Sequence, residues 1–427
     1  MKDKIVLIDG CRTPFLKSGT DYMDLMSYEL GQMAIAGLLA KTGIDKSKID
    51  SVILGTVISN IKTSNVAREA ALTAGIPHTT PCHTVTQACI SANRAIASAI
   101  GEIATGTSDV VIAGGVDSTS DTPIGFRKAM RKKLFQAQKI RSFKDQLRFI
   151  GSLRPKDFLP EKPSISEFTT GKTMGQDCDT LAAKYKVTRE EQDQFAILSH
   201  NLANKAWEEG HLSKEVVPVQ VGAKFKYIHK DNGIRPGSKI EKLAKLKPAF
   251  DKKNGTLTAA NSSFLTDGAA VVLIMKESKA KELGLQPKAE IINFCFTGQE
   301  LKEELLLGPA FAMTKALTNA GLQLSQMDVI EIHEAFAGQV IANINCLESD
   351  EFASKKLGNK QKTGELDRSK LNCWGGSLAL GHPFGATGAR LLNTTANRLI
   401  QENGRYGILA ACAAGAHGHA MIIKKYN

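Results

Sequence analysis

Apolar residues along the chain fall into two alternating patterns. Short β-branched runs, KIVLID, SVILGTVI and DVVIAGGVDS, read as strands, and the stretches between them carry apolar residues at helical spacing. Tyr28 to Thr42, a segment opening at Asn65, and ISANRAIASAIGEIATG are the helices this spacing predicts. The second half repeats the alternation in MDVIEIHEAFAGQVIANI, GHPFGATGARLLNTTANRLIQEN and YGILAACAAGAHGHAMII. Strand–helix–strand units in series predict an α/β fold with a mostly parallel sheet covered by helices.

The two halves also resemble each other. QACISANRAIASAI followed by VVIAGG corresponds to SLALGHPFGATGARLL followed by GILAACAAG: a turn of small residues opens a helix, and the next strand ends in small residues. This is the mark of duplicated βαβ halves. Between Thr122 and Phe250 the alternation gives way to basic, proline-containing sequence with helical pieces such as TREEQDQFAILSHNLANKAWEEG. The expected organisation is an N-terminal half from residues 1–121 plus 251–275, closed by the strand GAAVVLIM, a mostly helical insertion over 122–250, and a C-terminal half over 276–427.

Composition narrows the class. At 427 residues, 42% hydrophobic and 23% charged, the chain is long enough for two or three packed units and ordinary enough to exclude disordered, collagenous and coiled-coil classes. No apolar run approaches the ~18 residues of a membrane span. The opening KIVLID reads as a strand rather than a leader, so a cytoplasmic protein is expected. The eight cysteines form no C-x-x-C pair and no Cys/His cluster at zinc spacing, which fits a reducing compartment and predicts no metal site.

Charge is less ordinary. The formal net charge is +12, and residues 126–156 hold eleven Lys/Arg against one acid, Asp145, which leaves +2 for the other 396 residues. In this segment Phe126, Met130, Leu134, Ala137, Ile140, Phe143, Leu147 and Ile150 recur every three or four residues, a basic amphipathic stretch. It is either a helix packed on its own domain with a charged outer face or a docking surface for a membrane or a partner subunit. Nucleic acid is a poorer match, because the segment has Phe but no Tyr or Trp for base stacking.

Four places carry candidate chemistry. Cys89, in TVTQACISANRAI, stands where a strand ends and a helix begins; the positive end of that helix would lower the thiol's pKa and favour a nucleophilic thiolate. A small buried cysteine is the other reading. His382, held between Gly381 and Pro383 in GGSLALGHPFGATGAR, is rigidly placed for general-base work. Cys412 would emerge at the end of the strand GILAA, where open α/β sheets bind ligands, and His333 ends the apolar strand VIEI. His417 and His419 lack a matching carboxylate pair and read as packing or rim residues.

QACISANRAI, HEAFAGQ, GGSLALGHPFGATGAR and CAAGAHGHAM, in that order, together resemble the motif set of thiolases. The resemblance runs from DGCRTPF through LKPAFDKKNGTLTAANSSFLTDGAA to the end of the chain. HEAF for NEAF, CAAG for CxGGG and the long basic insertion are similar to β-subunits of the fatty-acid-oxidation trifunctional complex.

The resemblance implies a layered α-β-α-β-α core and CoA-dependent cleavage of 3-ketoacyl-CoA to acetyl-CoA and a shortened acyl-CoA. It implies Cys89 as nucleophile, His382 as its base and Cys412 as proton donor to the enolate carbon. His382 and a water held by His333 would meet the enolate oxygen, and the N–H groups of Cys89 and Ala414 would form a second oxyanion hole. CoA is a co-substrate, with no permanently bound cofactor, and matching positions for it are Arg235, Met174 and Ser263. A homodimer, an α-subunit completing a heterotetramer, and membrane contact through 126–156 are implied as assemblies. A biosynthetic acetoacetyl-CoA thiolase is the alternative enzyme, and a lipid carrier or polyanion binder the alternative from another class.

Overall fold

The computed structural model describes residues 3–161, 166–222 and 226–426. The helices expected from periodicity are present: Ser27–Thr42, Val66–Thr73 with Asn65 capping it, Ser91–Thr105 and Arg189–Glu208. Two of them start on side-chain caps. The Asn65 side chain accepts from the Arg68 N–H, and Thr188 forms a capping box with Glu191.

Ten strands form one sheet, and its main path runs in the order Val329–Ile332, Tyr406–Ala413, His417–Lys425, Ala289–Gly298, Ile5–Arg12, Thr266–Lys276, Val110–Asp117, Ser51–Gly55, Cys82–Val85. The sheet is mixed rather than mostly parallel. Parallel pairing is confined to the two ends, Val329–Ile332 with Tyr406–Ala413, and Ser51–Gly55 with both Val110–Asp117 and Cys82–Val85. The middle strands are antiparallel. Helices cover both faces, so an antiparallel strand such as Thr266–Lys276 is buried along nearly its whole length and carries the continuous apolar run of a parallel one.

Duplication is visible in the strand order. Reading inward from each end, the pairings run parallel, antiparallel, antiparallel in both halves, once the extra edge strand Cys82–Val85 is set aside. The halves meet through a short pairing, Val6 with Glu290 and Leu7 with Ala289. Three hydrophobic cores follow. One lies outside the first half beneath Ser27–Thr42 and Val66–Thr73, one outside the second half beneath Gly308–Ala320 and Ala337–Leu347, and one between the halves around Ser91–Thr105 and Thr387–Gln401. Five layers result, helix, sheet, helix, sheet, helix. The two central helices approach closely because Gly388 has no side chain: a Cβ there would lie 2.1 Å from Asn93 Oδ1.

Residues 122–250 join two neighbouring strands of the first half and divide into two parts. Met174–Lys184 and Arg189–Glu208 pack on the second half, burying Cys178, Leu181, Ala182, Ala203 and Ala206. The buried Arg12–Asp231 ion pair, at 2.6 Å, pins the returning chain to the first strand. The basic stretch forms two helices, Lys128–Ala137 and Phe143–Ser152, with only Met130 buried. Apart from Met130 its apolar stripe is largely unpacked: Phe143, Leu147 and Ile150 are 74%, 56% and 62% exposed.

Candidate active site

Cys89 sits on a strained turn. Ala88 before it has φ +46°, a left-handed conformation that disfavours a side chain, and the Ser91 hydroxyl holds the turn by accepting from the Gln87 N–H and donating to the Ala88 carbonyl. The sulfur faces the backbone N–H groups of Ala414 and of Cys89 itself. These favour the thiolate, yet burial outweighs them and, with the charges of Asp117 and Glu167, pushes the Cys89 thiol up to about 11. The expectation of a pre-formed thiolate is therefore corrected. Cys89 rests as a thiol, because desolvation exceeds the help of those two N–H groups.

The two site histidines lie ring against ring, their centroids 4.1 Å apart, and both are buried. The Thr387 hydroxyl donates to the Pro383 carbonyl at 3.0 Å, so it can only accept from His382 Nδ1 at 2.6 Å. That assigns the proton to Nδ1 and leaves Nε2 of His382 as a bare lone pair. For His333 the assignment reverses. Ser377 Oγ accepts from Arg390 Nη2 at 3.3 Å and lies 3.0 Å from His333 Nδ1, the one acceptor for its proton among the described residues. His333 Nε2 then carries hydrogen. Both Nε2 atoms are buried without partners among the described residues. Burial and the Arg390 charge lower both histidines, His382 to about 3, so both rings are neutral at pH 7.

Cys412 is the penultimate residue of Tyr406–Ala413, and its parallel neighbour ends just before His333, whose N–H bonds the Ala410 carbonyl at 2.8 Å. Burial and the Cys89 charge raise the Cys412 thiol strongly. The turn after it is CAAGA, in which Gly415 has φ +80° and Ala416 φ +54° while Ala414 keeps an ordinary negative φ. Ala414 thus presents its N–H as a glycine would, and the residue that adopts the glycine conformation is Ala416.

Three residues that the sequence did not single out hold these loops. Asp117, at the end of its strand, accepts from the N–H groups of Val57, Ile58 and Gly385 and from the Thr56 hydroxyl, tying the loop after His382 to the first half. Burial pushes this carboxyl up to about 6 against those donors. Glu334 accepts from Ser199, Asn372 and the Leu378 N–H, and a Cβ on Gly376 would strike its carboxylate. Glu167, from the insertion, accepts from the Gly415 N–H. A buried Asp or Glu closing an apolar strand was the available signal for the first two.

The positions expected to meet CoA are scattered. Ser263 bonds the Ala335 carbonyl within the HEAF loop through its N–H. Arg235 is exposed, its N–H donating to His200 Nδ1, and its charge with that of Lys17 adds to burial in lowering His200 to about 4. Lys17 lies over the Phe264 ring. Met174 opens its helix half-buried against the second outer core. His419 is buried against Phe296, and half-buried His417 stands at the start of the same strand.

Sequence models of the thiolase N-terminal domain and the thiolase C-terminal domain match residues 5–278 and 285–425. The chain belongs to the thiolase family. Among its relatives, the mitochondrial trifunctional enzyme subunit beta of Bos taurus is 53% identical over 99% of this chain and 88% of that protein. The 3-ketoacyl-CoA thiolase of Pectobacterium atrosepticum is 44% identical over 99% of this chain and 97% of its own. Solved thiolases superpose over the whole molecule. Human mitochondrial 3-ketoacyl-CoA thiolase in complex with CoA gives a TM-score of 0.84 at 30% identity, covering 99% of this chain and 98% of that one. The acetyl-CoA acetyltransferase of Bacillus anthracis gives 0.85 at 33%, covering 100% and 99%. The thiolase fold and an acyltransferase activity follow for this chain.

Proposed function

We propose that this thiolase cleaves 3-ketoacyl-CoA with CoA, in the degradative direction, through an acyl-thioester on Cys89. The observation that carries this reading is the pairing of a thiol facing two backbone N–H groups with a neutral His382 whose Nε2 is free to take a proton. As the substrate's 3-keto carbon meets Cys89, His382 removes the thiol proton and the N–H groups of Cys89 and Ala414 receive the alkoxide. Breaking the C2–C3 bond leaves the acyl group on sulfur and expels the enolate of acetyl-CoA. His382, now protonated, and His333 both carry hydrogen on Nε2 to meet that enolate's oxygen, His333 through a water, while Cys412 protonates its carbon. The Cys412 thiolate then takes the proton of the incoming CoA thiol. CoA attacks the thioester, and Cys89 recovers its proton from His382, so both proton carriers return to their starting state.

CoA is the co-substrate, assigned to Arg235, Ser263 and Met174, with Lys17, whose charge acts on that of Arg235, as a further cation for its phosphates. The degradative reading is tested by comparing rates on acetoacetyl-CoA and 3-ketohexadecanoyl-CoA. Similarity to an acetyl-CoA acetyltransferase makes the four-carbon substrate the proper control, and a strong preference for it would move the enzyme to the biosynthetic class. Cys89→Ala is expected to lower turnover by at least about 10⁴-fold on either substrate, and full activity in that variant would sink the mechanism.

The exposed apolar and basic face of 126–156 is the docking surface, for an α-subunit like the partner implied by the name of the bovine relative, or for an anionic membrane. Flotation with vesicles of anionic lipid, with and without such a subunit, separates the two. A homodimer through the half-buried edge strand Cys82–Val85, in a reducing cytoplasm suited to eight unpaired cysteines, completes the proposal.

A further inference from the structure

The insertion sends one side chain back to the oxyanion turn. Residues 166–173 form a small hairpin closed by a bridge between Ser166 and Thr173, by the Glu167 N–H donating to the Lys172 carbonyl at 2.9 Å, and by the Gly171 N–H donating to the Glu167 carbonyl at 2.8 Å. With its backbone fixed at both ends, Glu167 turns its carboxylate to the N–H of Gly415, 248 residues away in sequence. Gly415 directly follows Ala414, whose own N–H faces the Cys89 sulfur. The turn that carries both donors has two successive left-handed residues and leaves Gly415 exposed; the Ala413–His417 pairing holds its base and the Gln299 N–H, donating to the Ala416 carbonyl, holds its far side, while Glu167 is the side chain that holds the Gly415 N–H.

We infer that Glu167 is a positioning residue for the acyl-transfer chemistry proposed above, clamping the Gly415 N–H and so fixing the turn that aims the Ala414 N–H at the reacting oxygen. The assignment rests on the thiolase reading of Cys89 and Ala414 and makes the insertion a structural part of the oxyanion hole, not only a cover for CoA. A charge-assisted bond to an N–H is the strong kind, and it needs an acceptor only. An amide oxygen can replace the carboxylate oxygen in that role; a methyl group cannot. Because the Glu167 charge also disfavours the Cys89 thiolate, the same residue offers a second readout.

The test uses the full chain with Glu167→Ala and Glu167→Gln. Steady-state thiolysis of 3-ketohexadecanoyl-CoA is expected to show kcat down about 10- to 100-fold in the alanine variant with KM within about twofold, short of the ~10²–10³ lost when an oxyanion donor is deleted outright. The glutamine variant is expected to recover to within about fivefold of the parent. Iodoacetamide labelling of Cys89 against pH, followed by mass spectrometry, should show a lower midpoint in the glutamine variant than in the parent. An alanine variant with parental kcat, a glutamine variant as damaged as the alanine one, or an unmoved labelling midpoint in the glutamine variant would each overturn the assignment. Labelling needs no turnover. If the parent fails to thiolyse any 3-ketoacyl-CoA, the thiolase reading falls, while the labelling profiles still decide whether Glu167 reaches the thiol.

Discussion

The two halves share strand order and helix placement, yet they contribute different chemistry from matching positions. Laid end to end, Val110–Asp117 and Tyr406–Ala413 put Val116 opposite Cys412 and Asp117 opposite Ala413. In the first half the turn before the central helix carries Cys89, the nucleophile of the proposed mechanism, and in the second half it carries His382, the proposed base. The strand ends are exchanged as well. Asp117 of the first half holds the Gly385 loop of the second, and Ala414 of the second half presents its N–H to the thiol of the first. Neither half has a complete site, so the duplication supplies the framework and the interlock between halves supplies the function.

The sharpest way to break this arrangement is at the interlock. A Cβ on Gly115 would sit 1.9 Å from the Gly385 carbonyl oxygen and 2.7 Å from that of Gly55, both backbone atoms that cannot swing aside. Gly115→Ala is expected to cost at least about 10²-fold in kcat/KM, the scale of a roughly 1 Å misplacement of catalytic groups, together with a few kcal/mol of stability. Gly101, inside Ser91–Thr105, has open space where its Cβ would be. Gly101→Ala should keep full turnover and gain up to about 1 kcal/mol in urea unfolding. Equal turnover in the two variants would mean that the loops do not meet as closely as the structure shows.

How much of this was legible follows from which interactions are local. Duplication, the helices and the four chemical positions lie in contiguous motifs, and the sequence carries them. Strand direction does not leave such a trace: Thr266–Lys276 is apolar because both faces are covered, and that is equally true of an antiparallel strand between two helical layers. The helix start after Cys89 is visible in the sequence, but the state of its thiol depends on a balance between burial and the N–H groups of Ala414 and Cys89, which only three-dimensional packing sets. Glu167 had no signal at all, since SEFTTGK reads as an ordinary polar loop and its partner lies in the other half.

His419 sharpens the comparison through pH. Matched by strand register, its counterpart in the first half is Ala270, which lies opposite Gly115 as His419 lies opposite Ala411. Burial, reinforced by the Arg94 charge, lowers His419 to about 3 from an ordinary 6.5, and neither ring nitrogen has a partner among the described residues. Above pH 6.5 the ring is neutral in folded and unfolded chains alike. Below it the unfolded chain takes up a proton that the folded one refuses, so stability falls as pH drops from 6.5 toward 3. Between pH 8 and 5.5 this one group should cost about 1.4 kcal/mol. His419→Val is expected to narrow the difference in unfolding free energy between pH 8 and 5.5 by about that amount, read from urea midpoints at the two pH values. An unchanged difference would show that the histidine is charged or hydrated in the fold.

The smallest effect is expected where the chain departs from the CxGGG pattern. Ala416 takes the left-handed conformation in which glycine is at ease, at a cost of roughly 1–2 kcal/mol for an alanine. Replacing it by glycine would relieve that strain, but it also removes a buried methyl group worth about 0.8 kcal/mol and frees the unfolded chain by roughly 0.5–1 kcal/mol. The opposing contributions nearly cancel. Ala416→Gly should therefore move the urea midpoint by less than about 1 kcal/mol and leave kcat within about twofold, because the Ala414 N–H that serves the thiol belongs to a residue with ordinary backbone angles. A large gain in stability would show that the turn stores more strain than one left-handed alanine explains. A large loss of turnover would show that the Ala416 methyl, and not only the Glu167 contact, helps to keep the oxyanion turn in place.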